Sequence, residues 1–83
     1  SPNKVYAQLI NLQNLEDNVD VETGSIVDKP KLKALGLIKK EDKPVKLLGK
    51  GILSKKLNIE VDMTSASAAE AVKKAGGEVV TTG

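Results

Sequence analysis

Apolar and polar residues alternate along several parts of this chain, and the alternation predicts β-strands. The clearest run has four apolar residues separated by polar ones, as in a strand with one buried face: Leu57, Ile59, Val61 and Met63. Residues 5–12 carry apolar side chains on both faces, which favours an internal position in a sheet. Two shorter segments, residues 45–48 and 78–82, predict further strands.

Helix-capping residues predict a helix over residues 68–75. Ser67 precedes it, and a serine hydroxyl can accept a hydrogen bond from an amide of the first turn. Glu70, three residues later, can reach back to the Ser67 amide and complete a capping box. Gly76 can then adopt the left-handed conformation that ends a helix.

A second, shorter helix is predicted between Asp28 as its N-cap and Gly36 as its stop. The order strand, helix, strand, strand, helix, strand predicts an α/β domain with crossover helices. We expect one small globular domain over residues 1–83, with a mixed four-stranded sheet and two short helices. No apolar run approaches the roughly 18–20 residues needed to span a bilayer.

Charge is distributed unevenly, although the formal net charge is only +2. Residues 29–56 contain ten lysines and two acidic residues, whereas the segments on either side are net negative. A basic block of this size marks a surface that faces a polyanion. All thirteen basic residues are lysine, which supplies point charges to phosphates, whereas arginine is favoured for reading base edges. Contact with a phosphate backbone is therefore the expected use of this surface.

The composition disfavours an enzyme, because histidine and cysteine are both absent. Glu60 and Asp62 point the same way from one predicted strand and could hold a magnesium ion, but a solvated strand face explains them better. Glu16 and Asp17 are likewise expected to be solvated turn residues. Tyr6 is the sole aromatic residue, so stacking platforms for single strands are missing. Any bound RNA is expected to be structured and contacted through its shape and backbone.

Two glycines flank a lysine at residues 49–51 and predict a tight turn with positive φ at Gly49 or Gly51. The segment lacks the spacing of a nucleotide-binding P-loop, and no helix N-terminus follows it in sequence. Backbone N–H groups of this turn, beside Lys46 and Lys50, could still meet an RNA phosphate.

Four segments carry motifs whose order and spacing are informative: Ile10-Asn11-Leu12-x-x-Leu15, Leu35-Gly36-Leu37-Ile38, Val45-Lys46-Leu47-Leu48-Gly49-x-Gly51-x-Leu53-Ser54-Lys55-Lys56-Leu57, and Ser65-Ala66-Ser67-Ala68-x-x-Ala71-Val72-x-x-Ala75-Gly76-Gly77. Together they resemble the C-terminal globular domain of the bacterial-type ribosomal protein L15 family. The resemblance implies a structural constituent of the large ribosomal subunit, in the cytoplasm, that supports subunit assembly and translation. It implies ribosomal RNA and neighbouring ribosomal proteins as partners, and no catalysis, cofactor, small-molecule substrate or membrane.

The chain also departs from this family at three points. The family's glycine- and arginine-rich N-terminal extension, which threads into ribosomal RNA, has no counterpart in residues 1–83. Glu60 and Asp62 stand where relatives often have basic residues, and Ile52 replaces a commonly acidic residue. These departures argue against RNA contact along the strand that carries Glu60.

The expected RNA-binding residues lie in the most basic part of the chain, which has seven lysines against two acids: Lys39, Lys40, Lys43, Lys46, Gly49, Lys50, Gly51, Lys55 and Lys56. Two other classes of function remain open. One is a basic protein–protein interaction module without RNA binding, in which this block meets an acidic partner. The other is a metal-assisted hydrolase that uses Glu60 and Asp62.

Overall fold

Short strands and helices follow one another along residues 6–82, the part of the chain that this computed structural model describes. In chain order they are β1 (Gln8–Asn11), α1 (Leu12–Glu16), β2 (Ile26–Val27), α2 (Lys29–Ala34), β3 (Val45–Leu48), β4 (Asn58–Val61), β5 (Met63–Thr64), α3 (Ala66–Lys74) and β6 (Glu78–Thr81). The predicted strands at residues 45–48 and 78–82 are confirmed as β3 and β6.

The strands form two three-stranded parallel sheets. The first sheet has the order β1-β3-β5 and the second has the order β2-β4-β6, so successive strands alternate between the sheets. The small α/β domain is confirmed, but the prediction of one mixed four-stranded sheet was wrong. The run of alternating residues from Leu57 to Met63 crosses from β4 in the second sheet to β5 in the first, and the alternation alone does not reveal this crossing.

The core is aliphatic and draws on both sheets and all three helices. Its buried hydrophobic residues form one cluster: Ile10, Leu12, Leu15, Val21, Val27, Leu32, Ile38, Val45, Leu47, Leu57, Ile59, Val61, Ala68 and Val72. Burial of such side chains is the main force that holds the sheets together, at about 1.5–3 kcal/mol for each large aliphatic residue. Because aromatic side chains are missing from this cluster, the domain depends on many small contacts.

The first predicted strand is shorter than expected and lies at a sheet edge. β1 spans Gln8–Asn11 and pairs with β3 alone among the described residues, which leaves Leu9 59% exposed. The expected internal position is therefore wrong; Val5 of the predicted strand lies outside the described residues. Leu12 instead starts α1, where Leu12 and Leu15 share a helical face and are both buried. The Asn14 side chain accepts a hydrogen bond from the Asn11 backbone N–H at 2.8 Å and closes the start of this helix.

The start and end of α2 match the sequence prediction. The Asp28 carboxylate accepts a hydrogen bond from the Lys31 N–H at 3.0 Å, as an N-cap does. At the other end Gly36 has φ of 76°. The Gly36 N–H donates to Lys33 and the Leu37 N–H donates to Leu32, which is the bonding of a Schellman motif.

The start of α3 differs from the prediction by two residues. Ser65, and not Ser67, is the N-cap, because the Ser65 hydroxyl accepts the Ala68 N–H at 3.2 Å. The predicted capping box with Glu70 is also wrong, since Glu70 pairs instead with Lys74 at 3.6 Å, one turn further along. Gly76 ends the helix with φ of 91°, as predicted. No helix within residues 6–82 has the length and apolar character that crossing a membrane requires.

Candidate nucleic-acid interface

The lysine-rich segment divides into two loops at opposite ends of β3. The 39–44 loop precedes the strand and carries Lys39, Lys40 and Lys43, all exposed. The 49–54 loop follows the strand and carries the exposed Lys50. Four strand residues separate the loops, or roughly 13 Å at 3.3 Å for each residue. Lys46 lies between the loops in β3, half-buried and paired with Leu9 and Met63 on the neighbouring strands.

The Gln8 side chain fixes the backbone of the 39–44 loop. Its Oε1 accepts hydrogen bonds from the backbone N–H groups of Lys39 and Lys40, at 2.9 and 3.0 Å. Its Nε2 donates to the backbone oxygen of Lys40 at 2.6 Å. Because these bonds use backbone atoms only, the three lysine ammonium groups are left to face solvent from a loop of defined shape.

Gln13 performs the same task for the 49–54 loop. Its backbone N–H donates to the Lys50 oxygen at 3.1 Å, and its Oε1 accepts the Ile52 N–H at 3.1 Å. Gly51 lies directly against it, since a Cβ at this position would come within 2.8 Å of the Gln13 backbone nitrogen. Gly51 has φ of 102°, which confirms the predicted tight turn.

Gly49 is required for a different reason. A Cβ built there would overlap the Ser67 hydroxyl and approach the Ala68 nitrogen to 2.9 Å, so the first turn of α3 packs onto this glycine. No helix follows the turn in sequence, yet the N-terminus of α3 lies against it in space. Helix N-termini carry partial positive charge, so this contact adds to the positive field near Lys50.

Glu16 closes the far end of the 49–54 loop. Its carboxylate accepts hydrogen bonds from the Ser54 backbone N–H at 2.9 Å and from the Ser54 hydroxyl at 2.6 Å. These bonds, of which the one from the hydroxyl contributes most, lower the pKa of the Glu16 carboxyl below its ordinary value. The expectation that Glu16 is a solvated turn residue is therefore wrong.

The two lysines that follow this loop have different environments. The Lys55 ammonium donates to the backbone oxygens of Leu15 and Asn18, at 3.0 and 2.9 Å, and so binds the carbonyl end of α1. The Lys56 side chain is exposed, while its backbone N–H donates to the Thr23 hydroxyl at 2.9 Å. The lysines expected to contact RNA thus include one whose charge already has protein partners.

Asp62 occupies the crossing between the two sheets. Its carboxylate lies 2.8 Å from the Lys29 ammonium and accepts the Val45 backbone N–H at 2.8 Å. The hydrogen bond from Lys29 is the main cause that lowers the pKa of Asp62 below its ordinary value. Asp62 is therefore not on a solvated strand face, whereas Glu60 is exposed. Residues 6–82 contain no group of three or more carboxylates placed to hold a metal ion.

Sequence reasoning missed the residues that shape both loops. Gln8 and Gln13 contact backbone groups more than thirty residues away, and neither has a neighbour in sequence that hints at this role. A glutamine in a strand or helix is ordinary in itself. The double glycine at residues 49 and 51 was the one signal that another element approaches closely.

The same chain segments match known proteins. A family model described as covering the ribosomal proteins 50S-L15 and 50S-L18e and their 60S counterpart matches residues 9–80. The large ribosomal subunit protein uL15 of Trichlorobacter lovleyi is 45% identical over 71 residues, which cover 86% of this chain and 46% of that protein. The uL15 proteins of Metamycoplasma arthritidis and Lactobacillus acidophilus are 45% and 52% identical over 78 and 66 residues, which cover 94% and 80% of this chain and 52% and 45% of theirs.

Because the match extends over most of its length, the chain belongs to this family of ribosomal proteins. The resemblance inferred from the four sequence motifs is confirmed. The family is one of ribosomal proteins and not of enzymes, as the composition predicted. The chain spans about half the length of the curated relatives that it matches.

Proposed function

We propose that this domain is a structural constituent of the large ribosomal subunit and binds ribosomal RNA through two lysine-bearing loops. The 39–44 loop contributes Lys39, Lys40 and Lys43, and the 49–54 loop contributes Lys50. Lys46, between the loops, and Lys56 extend the same surface. Neighbouring ribosomal proteins complete its surroundings in the cytoplasmic ribosome, where it supports subunit assembly and translation.

The observation that carries this proposal is the way the lysines are displayed. Backbone hydrogen bonds from Gln8 and Gln13 hold both loops, while the lysine side chains remain exposed. Among residues 6–82 ion pairs form only between Lys29 and Asp62 and between Lys74 and Glu70. The loop lysines therefore keep their charge for a partner outside the described residues.

A phosphate backbone is the partner that suits this display. Exposed ammonium groups supply charge without the planar donor geometry that reads base edges. The described core and loops offer no aromatic platform apart from Tyr6, which is exposed. Structured RNA, contacted through its shape and its phosphates, fits these properties better than an unstacked single strand.

Three of the expected site residues act on the shape of the interface. Gly49 admits the first turn of α3, and Gly51 admits Gln13. Lys55 binds the carbonyl end of α1. We assign these residues to the support of the 49–54 loop and assign the direct phosphate contacts to the exposed lysines.

The test is a salt series of binding to fragments of large-subunit ribosomal RNA. The chain with Lys39, Lys40 and Lys43 all changed to Gln keeps the Gln8 hydrogen bonds, because these use backbone atoms. It should bind more weakly, and the slope of affinity against salt should fall by roughly 0.9 for each duplex phosphate that the protein no longer neutralises.

The matched control changes Lys73 and Lys74 on α3 to Gln, which removes exposed charges outside both loops. This control should keep most of the salt slope. Equal weakening in the two variants would contradict the assignment to the loops. Binding of an acidic protein without any affinity for the RNA fragments would instead favour the interaction-module alternative.

A further inference from the structure

The outer edge of β6 is an unpaired strand edge. Within the described residues β6 pairs with β4 alone. The Glu78 N–H donates to the Leu57 oxygen and the Thr82 N–H donates to the Val61 oxygen, both at 2.9 Å. In a parallel ladder the alternate residues then direct their backbone groups to the opposite side, so Val79 and Thr81 present N–H and C=O groups away from β4.

This edge lacks the features that usually prevent strand addition. Natural edge strands are protected by lysine, proline or bulges. β6 has the sequence Glu-Val-Val-Thr and contains neither lysine nor proline. Val79 is half-buried against the core, so the inner apolar layer of the sheet ends partly open at this strand.

The outward face of the second sheet is acidic and partly apolar. Its register places Ile26, Asn58 and Glu78 in one row and Glu60 and Val80 in the next. Ile26 is 56% and Val80 is 46% exposed, and both glutamates are exposed. None of the thirteen lysines lies in β2, β4 or β6, so this face repels the phosphates that the two loops attract.

We propose that the edge of β6 binds an extended segment of another protein in which cationic and aliphatic side chains alternate. Main-chain hydrogen bonds to Val79 and Thr81 would add this segment to the sheet as a further strand. Its lysine or arginine side chains would face Glu60 and Glu78, and its aliphatic side chains would extend the layer that ends at Val79. This surface is separate from the proposed RNA interface.

The probe is an acetylated and amidated peptide of eight residues that alternates lysine and valine. Alternation puts every lysine on one face of a strand and every valine on the other. A peptide of the same composition, with four lysines followed by four valines, is the control for simple charge attraction. The alternating peptide should bind saturably in calorimetry, and the block peptide should bind at least about tenfold more weakly.

Two variants of the chain locate the binding. Thr81→Pro removes an N–H that points away from β4, and it should abolish binding while the Thr82 hydrogen bond is kept. Glu60→Lys together with Glu78→Lys should weaken binding by about tenfold or more, whereas Glu41→Lys, an exposed charge on the 39–44 loop, should leave it unchanged. RNA affinity should be the same for Thr81→Pro as for the unchanged chain.

A second form of the edge test does not depend on the folding of a variant. Peptides N-methylated on the amides of one strand edge should lose binding, because strand addition needs those donors. Equal binding of the block and alternating peptides would overturn the proposal in favour of plain charge attraction. Self-association of the chain that Thr81→Pro abolishes would assign the edge to a second copy, and no peptide binding at millimolar concentration would leave it without this function.

Discussion

Asp62 binds three parts of the molecule at the residue scale. It lies at the crossing from β4 to β5, and its carboxylate contacts both Lys29 of α2 and the first backbone N–H of β3. Its own backbone N–H donates to the Val45 oxygen at 3.2 Å. A residue chosen from sequence as a weak metal ligand is therefore a connector between the two sheets.

The acid dependence of stability should reflect this contact. A carboxyl whose pKa is lowered by folding stabilises the folded state fully above its ordinary value, here 3.8, and the stabilisation is lost as the pH falls through the lowered pKa. Asp62→Asn should lower the free energy of unfolding at neutral pH by about 1–3 kcal/mol. It should also make stability less steep in acid, as urea unfolding at several pH values would show. Glu60→Gln removes an exposed carboxylate two residues away and should change neither quantity appreciably; equal effects of the two changes would contradict the role given to Asp62.

Gly51 allows a second test at the residue scale, with Gly24 as its control. Both have positive φ, 102° and 87°, so alanine is strained at either position by about 1–2 kcal/mol. A Cβ at Gly24 meets nothing within 4 Å, whereas a Cβ at Gly51 would meet Gln13. Gly51→Ala should therefore cost about 1–3 kcal/mol more than Gly24→Ala in chemical unfolding. Equal costs would mean that only the turn, and not the contact with α1, requires this glycine.

At the scale of single elements, α3 shows how a local signal can be right in kind and wrong in position. The segment from Ser65 to Ser67 offers two hydroxyls two residues apart, and either can cap a helix by local chemistry. The choice falls on Ser65 because the residues around Ser67 pack against Gly49, which follows β3. That contact joins residues almost twenty positions apart, so capping rules alone do not contain it.

The capping assignment gives a direct comparison between two serines. Ser65→Ala should lower stability by about 0.5–2 kcal/mol, because it leaves the Ala68 N–H without its acceptor. Ser67→Ala removes a hydroxyl that hydrogen-bonds to the Ser65 hydroxyl, at 3.2 Å, and caps no backbone group, so it should cost clearly less. Thermal unfolding of both variants measures this difference. A larger destabilisation by Ser67→Ala would return the cap to the residue that the sequence pattern favoured.

Elements bounded by local signals could be predicted, whereas the arrangement of the elements could not. The cap at Asp28, the stop at Gly36 and the strand β3 depend on neighbouring residues, and their positions were predicted. The split between β4 and β5 falls within an unbroken alternation of apolar residues, so only the tertiary structure reveals it. In the candidate site the exposed lysines were visible in sequence, but the glutamines that hold their loops were not.

At the scale of the whole molecule, charge is segregated between the two sheets. The lysine-bearing loops flank β3 of the first sheet, while the strands of the second sheet carry Glu60 and Glu78 and no lysine. A net charge of only +2 therefore hides one face suited to phosphates and another that repels them. This separation lets the domain contact RNA on one side and remain available to a protein on the other.

The most direct test of the proposed RNA interface is to map the residues that respond to ribosomal RNA by NMR. A fragment of large-subunit RNA is titrated into the labelled chain, and the backbone amide signals are followed. Saturable shifts at residues 39–43 and 49–51, with little change along β6, are the predicted result. Shifts concentrated on β2, β4 and β6, or none in the two loops at saturating RNA, would contradict it.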